Sequence, residues 1–164
     1  MKYKTISRGG APVGHPGELG AIEASAIIYW RLWAEGTDGQ RRVQADFHSA
    51  LGESVGFEAV QALARIFDMC AHHCRRPLMR HGLSCKCIGA DESCFANFIG
   101  YASECKREDA ALIASLMVDP NLCMPMADLA QTFGLALRRM TLAPLSADLK
   151  FTMNGINTTS KTIH

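Results

Sequence analysis

The chain has 164 residues, of which 48% are hydrophobic and 20% charged; these values fit one folded domain and exclude a wholly disordered chain. Seventeen Lys and Arg against sixteen Asp and Glu leave a formal charge of +1, which excludes a global basic footprint for nucleic acid and a global acidic one for cations. A chain of this size forms a core without metal or disulfide, so the seven cysteines, five of them between Cys70 and Cys94, need a separate account.

The first ten residues carry positive charge but no apolar stretch behind it, so no secretory signal is expected. The longest apolar run, Ala24 to Trp33, is broken by Ser25 and Arg31 and is too short for a membrane span. A cytoplasmic location with reduced thiols is the expectation, and an odd number of cysteines cannot close into a disulfide framework.

Residues 1–16 hold Gly9, Gly10, Pro12, Gly14 and Pro16 and read as a flexible N-terminal segment. From residue 17 the pattern turns helical. Leu19, Ile22, Ala26, Tyr29 and Trp33 recur at steps of three and four, and Gly36 to Gly39 stops that first helix. Val43, Phe47 and Leu51 mark a second, ended by Gly52. A third has Ser54 as N-cap, the stripe Val60, Leu63, Phe67, Cys70 and Cys74, and Arg75 and Arg76 in its last turn before Pro77. Residues 77–90 have no period and read as one long loop. Asp91 then caps a fourth helix with Phe95, Phe98, Ala102 and Cys105 on its stripe. Glu108 and Asp109 open a fifth that reaches Val118, and Asp119-Pro120 stops it. Pro125 sits in the first turn of a sixth, whose stripe is Met126, Leu129, Phe133, Ala136 and Met140. Pro144 closes it, and residues 144–164 read as a frayed tail. No segment alternates like a strand. The fold predicted for 17–143 is an all-α, single-domain bundle of six amphipathic helices with one long Cys/His loop.

The chemistry lies in that loop and at its edges. Zinc takes about four nitrogen or sulfur ligands in a tetrahedron, and closely spaced pairs place two ligands with one turn. Cys74 at a helix end with His81, Cys85 and Cys87 from the loop forms the candidate set, with Cys70, His73 or Cys94 as substitutes. Closing a metal site would also order a loop with few apolar anchors. An iron–sulfur cluster on Cys74, Cys85, Cys87 and Cys94 ranks below zinc because none of its usual spacings is present. The helical cysteines, Cys70, Cys74, Cys94 and Cys105, are also explained as small apolar core residues. Cys94 near a helix N-terminus could instead be a redox thiol, although Asp91 and Glu92 beside it disfavour the thiolate.

Arg75 to His81, Cys85 to Glu92, Arg107 to Ala110 and Phe133 to Met140 together give the chain a look that resembles a group of small uncharacterised all-helical proteins of proteobacteria. That resemblance covers residues 15–143 and implies the helical fold, but no activity, cofactor or partner.

Arg75, Arg76, Arg80 and Lys86 make a local basic stretch with no acid among them. It lacks the aromatic residues that stack on bases, and no helix-turn-helix is recognisable, so nucleic acid is not the expected partner. Phosphate-loop, dinucleotide, zinc-protease and serine-hydrolase motifs are absent, so no catalytic residue is assigned. The leading expectation is a cytoplasmic regulatory or protein-interaction module with a structural zinc, acting on a protein partner and forming a homodimer. Two alternatives stand beside it. One is a metal-dependent enzyme in which His81, Cys85 and Cys87 leave a coordination position open and Asp91 or Glu92 is the base. The other is a metal-free thiol redox sensor.

Overall fold

Among the described residues six α-helices carry the fold: α1 (Ala21–Ala34), α2 (Thr37–Leu51), α3 (Glu53–His73), α4 (Ala90–Ser103), α5 (Arg107–Ala114) and α6 (Pro120–Leu142). They belong to a computed structural model that describes residues 8–142. The expected tail at 144–164, the stop at Pro144 and residues 1–7 lie outside the described residues.

The six form the expected all-α bundle, with α6 packed against each of the other five. Its Met126, Ala130, Phe133, Leu137 and Met140 recur at steps of three and four and are all buried. Leu129, expected on that stripe, is only partly buried. The aromatic spine runs across the helices. Tyr29 of α1 meets Phe47 of α2 edge-on at 4.9 Å, and Phe47 stacks on Phe133 of α6 at 5.7 Å. Trp30 of α1 lies 4.5 Å from Phe95 of α4.

Several boundaries differ from the sequence pattern, each for a local reason. Thr37 to Gly39 do not merely stop α1; they are already α2, because Gly36 alone makes the turn with a φ of 87°. The cap of α3 is Gly52 rather than Ser54, and α3 stops at His73 because Cys74 is extended, so Arg75 and Arg76 lie beyond the helix. Cys74 bridges instead to Val118 in the segment after α5, which ends at Ala114 and not at Val118. Cys105, expected on a buried stripe, is exposed and has a φ of 60° just past α4. The Asp119-Pro120 dipeptide starts α6 as well as ending what precedes it, so Pro120 opens the helix and Pro125 falls inside it rather than in its first turn.

The absence of strands was also overturned. Pro12–Gly14 (β1) pairs antiparallel with Ile88–Gly89 (β2) in a two-stranded ribbon. Two and three residues are too few to show alternation. The ribbon contributes Ile88 to a small apolar cluster with Ile27 and Ala96, which anchors the end of the loop before α4, while Leu78 and Leu83 pack on the main core. Among the described residues no helix is long and apolar enough to cross a membrane.

At Gly39, α2 crosses α1 so closely that a Cβ would lie 1.9 Å from the Leu32 carbonyl oxygen. Gly39→Ala is therefore expected to destabilise the fold by about 1–3 kcal/mol through overpacking, whereas Gly17→Ala, with open space around it, stays within about 0.5 kcal/mol of the parent. Urea unfolding midpoints check this; equal midpoints for the two variants would contradict the packing.

Candidate metal centre

Arg31 and Glu92 decide where the loop lies. Each is almost wholly shielded from water, with side chains 3% and 0% exposed. The guanidinium of Arg31 grips the carboxylate with two bonds, Nε to Oε1 at 2.7 Å and Nη2 to Oε2 at 2.8 Å. Its Nη1 donates to the Cys85 carbonyl at 2.8 Å and its Nη2 to the Cys87 carbonyl at 2.7 Å. Glu92 completes its shell with the backbone N–H groups of His81 at 3.0 Å and Gly89 at 2.9 Å. The Gly89 bond is a third-residue acid reaching back to the N-cap of α4. One buried ion pair thus holds the backbone of His81, Cys85, Cys87 and Gly89.

Asp91 does the same for the start of the loop. It lies in the first turn of α4, which Gly89 caps, and not at the cap position itself. Its carboxylate accepts two bonds from Arg76, at 2.7 and 2.8 Å, and one from the Met79 N–H at 2.7 Å. Burial alone would raise both carboxyls. For Asp91 the Arg76 guanidinium and the Met79 N–H outweigh burial, and for Glu92 the Arg31 guanidinium and two N–H groups do, so both end below their ordinary values.

The side chains that this backbone presents converge. His81 Nδ1, Cys85 Sγ and Cys87 Sγ lie within 4.8 Å of one another. The two sulfurs are 2.8 Å apart, and Nδ1 is 3.6 Å from Cys85 Sγ and 3.0 Å from Cys87 Sγ. This separation is longer than the roughly 2.05 Å of a disulfide, and both cysteines are free. The other ring nitrogen of His81, Nε2, is 2.9 Å from the Gly10 carbonyl. A carbonyl only accepts, and the Gly10 contact is shorter than the 3.3 Å contact between Nδ1 and the Cys87 carbonyl, so a neutral ring keeps its proton on Nε2 and its lone pair on Nδ1, toward the sulfurs. The Cys87 carbonyl at 3.3 Å and Glu92 Oε2 at 4.0 Å face the same nitrogen. Acceptors thus surround Nδ1, and the place between it and the sulfurs suits a proton or a metal cation. The Gly10 carbonyl, with help from Cys85 and Glu92, pushes the His81 imidazole up despite its burial. The contact between the two thiols pushes Cys85 down and Cys87 up.

Three of the four expected ligands, His81, Cys85 and Cys87, therefore come together as a cluster able to coordinate a metal. Cys74 is placed elsewhere, beside Cys70, whose thiol lowers that of Cys74 and is itself raised. His73 is the exposed last residue of α3. Cys94 is half-buried in α4, and burial together with Asp91 pushes its thiol up, which opposes a reactive thiolate there. Arg31 is the functional residue that the sequence pattern missed; its only signal was a lone charge inside the longest apolar run. His15 is exposed, and its Nδ1 lies 3.1 Å from the Lys86 carbonyl, a further tie across the ribbon.

Comparison with protein-family models, with curated proteins and with solved structures returned no match. The geometry of the cluster is what bears on function.

Glu92→Gln leaves the Arg31 guanidinium buried without a counter-charge and is expected to cost about 3–5 kcal/mol. Asp128→Asn, which breaks the exposed pair with Arg107, should cost at most about 1 kcal/mol. Because the Glu92 carboxyl is lowered in the fold, its contribution is complete above the ordinary carboxylate range and fades as pH falls through the lowered value. The gap between the parent and Glu92→Gln in urea unfolding should therefore narrow on acidification below about pH 4. A gap that is small at pH 7 or widens in acid would contradict this.

Proposed function

We propose that this protein is a small zinc-binding module in which the metal pins residues 77–89 and the chain acts through its surface on a protein partner. The observation that carries the reading is the orientation of His81, its Nε2–H on the Gly10 carbonyl and its Nδ1 toward two cysteine sulfurs. A metal-ligating histidine ordinarily donates its other ring N–H to a carbonyl or carboxylate, which sets its tautomer and makes it a better ligand. One nitrogen and two sulfurs are a borderline-soft donor set that suits zinc. An iron–sulfur cluster needs about four thiolates, and only two cysteines stand in the cluster. The chain supplies three ligands, so a water or a residue from a partner completes the tetrahedron.

The enzyme alternative has that open position in its favour but lacks a base. Glu92 already accepts four hydrogen bonds and Asp91 three, and both are held below their ordinary values. Carboxylates so committed are poor proton acceptors. An interaction role also suits the exposed Leu112 and Leu116 around the end of α5, which are 71% and 73% accessible.

Protein purified without added zinc should carry about one zinc per chain, held by the three clustered ligands. Replacing both Cys85 and Cys87 by Ser should remove the metal and lower the melting temperature by roughly 5 °C or more, since each kcal/mol lost moves a domain of this size by several degrees. Metal-free parent protein that also fails to take up zinc on titration, or a double variant that melts unchanged, would overturn the reading.

A further inference from the structure

Where α3 ends and the chain turns toward the loop, the described residues line an open cavity of about 360 Å³. It is separate from the metal cluster, and none of His81, Cys85 or Cys87 lines it. Its volume falls within the range of small-molecule sites. Its lining is divided by chemistry. Trp30, Phe67 and Leu78 form an apolar base together with the thiols of Cys70 and Cys74, while Arg75, Arg76 and Arg80 are the only charged groups among the described residues that line it.

Two of these guanidiniums are held in place with donors to spare. Arg76 grips Asp91 yet its side chain stays 52% exposed, and it spends only Nη1 and Nη2 on Asp91 and the Pro77 carbonyl. Arg80 donates one Nη2 bond to the Ala34 carbonyl, at the C-terminal end of α1. Arg75 has no hydrogen-bond or ion-pair partner among the described residues. Three guanidiniums against the single carboxylate of Asp91, which is not part of the lining, leave the mouth net positive. The backbone around the opening is set beforehand, by the Asp91 bonds to Arg76 and Met79 and by the bridge from Cys74 to Val118.

We propose that this cavity binds a small carboxylate with an apolar body, the anionic head on the arginine mouth and the tail over Trp30, Phe67 and Leu78. Charge complementarity selects the head: guanidiniums take a planar carboxylate by paired N–H donors. The apolar base selects the tail, since an inorganic anion would leave the half-buried Phe67 and Leu78 against water. The site stands apart from the zinc reading, because none of the three clustered ligands, His81, Cys85 and Cys87, lines it.

Decanoate serves as the probe on the full chain, with zinc content measured on the same sample. Titration should give saturable binding seen in tryptophan fluorescence, and saturation should slow alkylation of Cys70 and Cys74. Decanol, with the same tail and no charge, should bind at least about tenfold more weakly, as should inorganic phosphate, the loss expected for one charge-assisted contact. Arg75→Glu, a charge reversal at an exposed position that leaves the fold intact, should weaken decanoate about tenfold or more. Equal affinity for decanol and decanoate would overturn the proposal. So would an unchanged affinity in Arg75→Glu. Thiols that are unreactive before any ligand is added, with no saturable binding, would also overturn it and would mean that another part of the chain or a second copy already fills the cavity.

Discussion

A guanidinium and a carboxylate withdrawn from water, Arg31 on α1 and Glu92 on α4, determine the arrangement of everything between α3 and α4. Burying such a pair costs several kcal/mol per ion in desolvation, and the attraction between the two offsets this only when the remaining donors and acceptors are also satisfied. Here they are. Arg31 spends four bonds and Glu92 accepts four. The partners that complete both shells are backbone groups of His81, Cys85, Cys87 and Gly89. The pair therefore contributes less to net stability than to position: it is satisfied in one conformation of the loop, and that conformation aims one imidazole and two sulfurs at a common point.

The rest of the site follows from this constraint. Asp91 and Arg76 hold the first part of the loop while Glu92 and Arg31 hold the second. The ribbon of β1 on β2 brings Gly10 beneath His81, where its carbonyl sets the tautomer. Four separate segments, the N-terminal strand, α1, the loop and the start of α4, thus converge on three ligand atoms. The same loop start shapes the neighbouring arginine-mouthed cavity, so both features share one scaffold although they differ in chemistry.

The helices were legible because each carries its own period. Steps of three and four through Tyr29, Phe47, Leu63, Phe98 and Phe133 mark faces that are buried in the bundle. His81, Cys85 and Cys87 were legible too, because they lie within seven residues and in a stretch with no period to explain them. What sequence could not supply was the long-range pairing. Arg31 and Glu92 are 61 positions apart, and the strands that form the ribbon are about as distant as His81 is from Gly10, 71 positions. In one dimension Arg31 interrupts an apolar run and Glu92 resembles an ordinary helix-start acid. Cys74 was misplaced from the cluster for a related reason: its spacing fits the α3 stripe, but α3 ends at His73 and the chain turns its thiol to Cys70.

The dependence of the His81, Cys85 and Cys87 cluster on the buried ion pair underlies the proposed zinc binding. It is tested most directly by zinc affinity, measured by competition with a chromogenic chelator, in the parent and in Arg31→Lys. Lysine keeps the positive charge near Glu92 but loses the fork that reaches the Cys85 and Cys87 carbonyls at the same time. A folded Arg31→Lys protein is expected to bind zinc about 10–100-fold more weakly, the usual consequence of losing a group that orients metal ligands. Equal affinity in parent and variant would contradict the account.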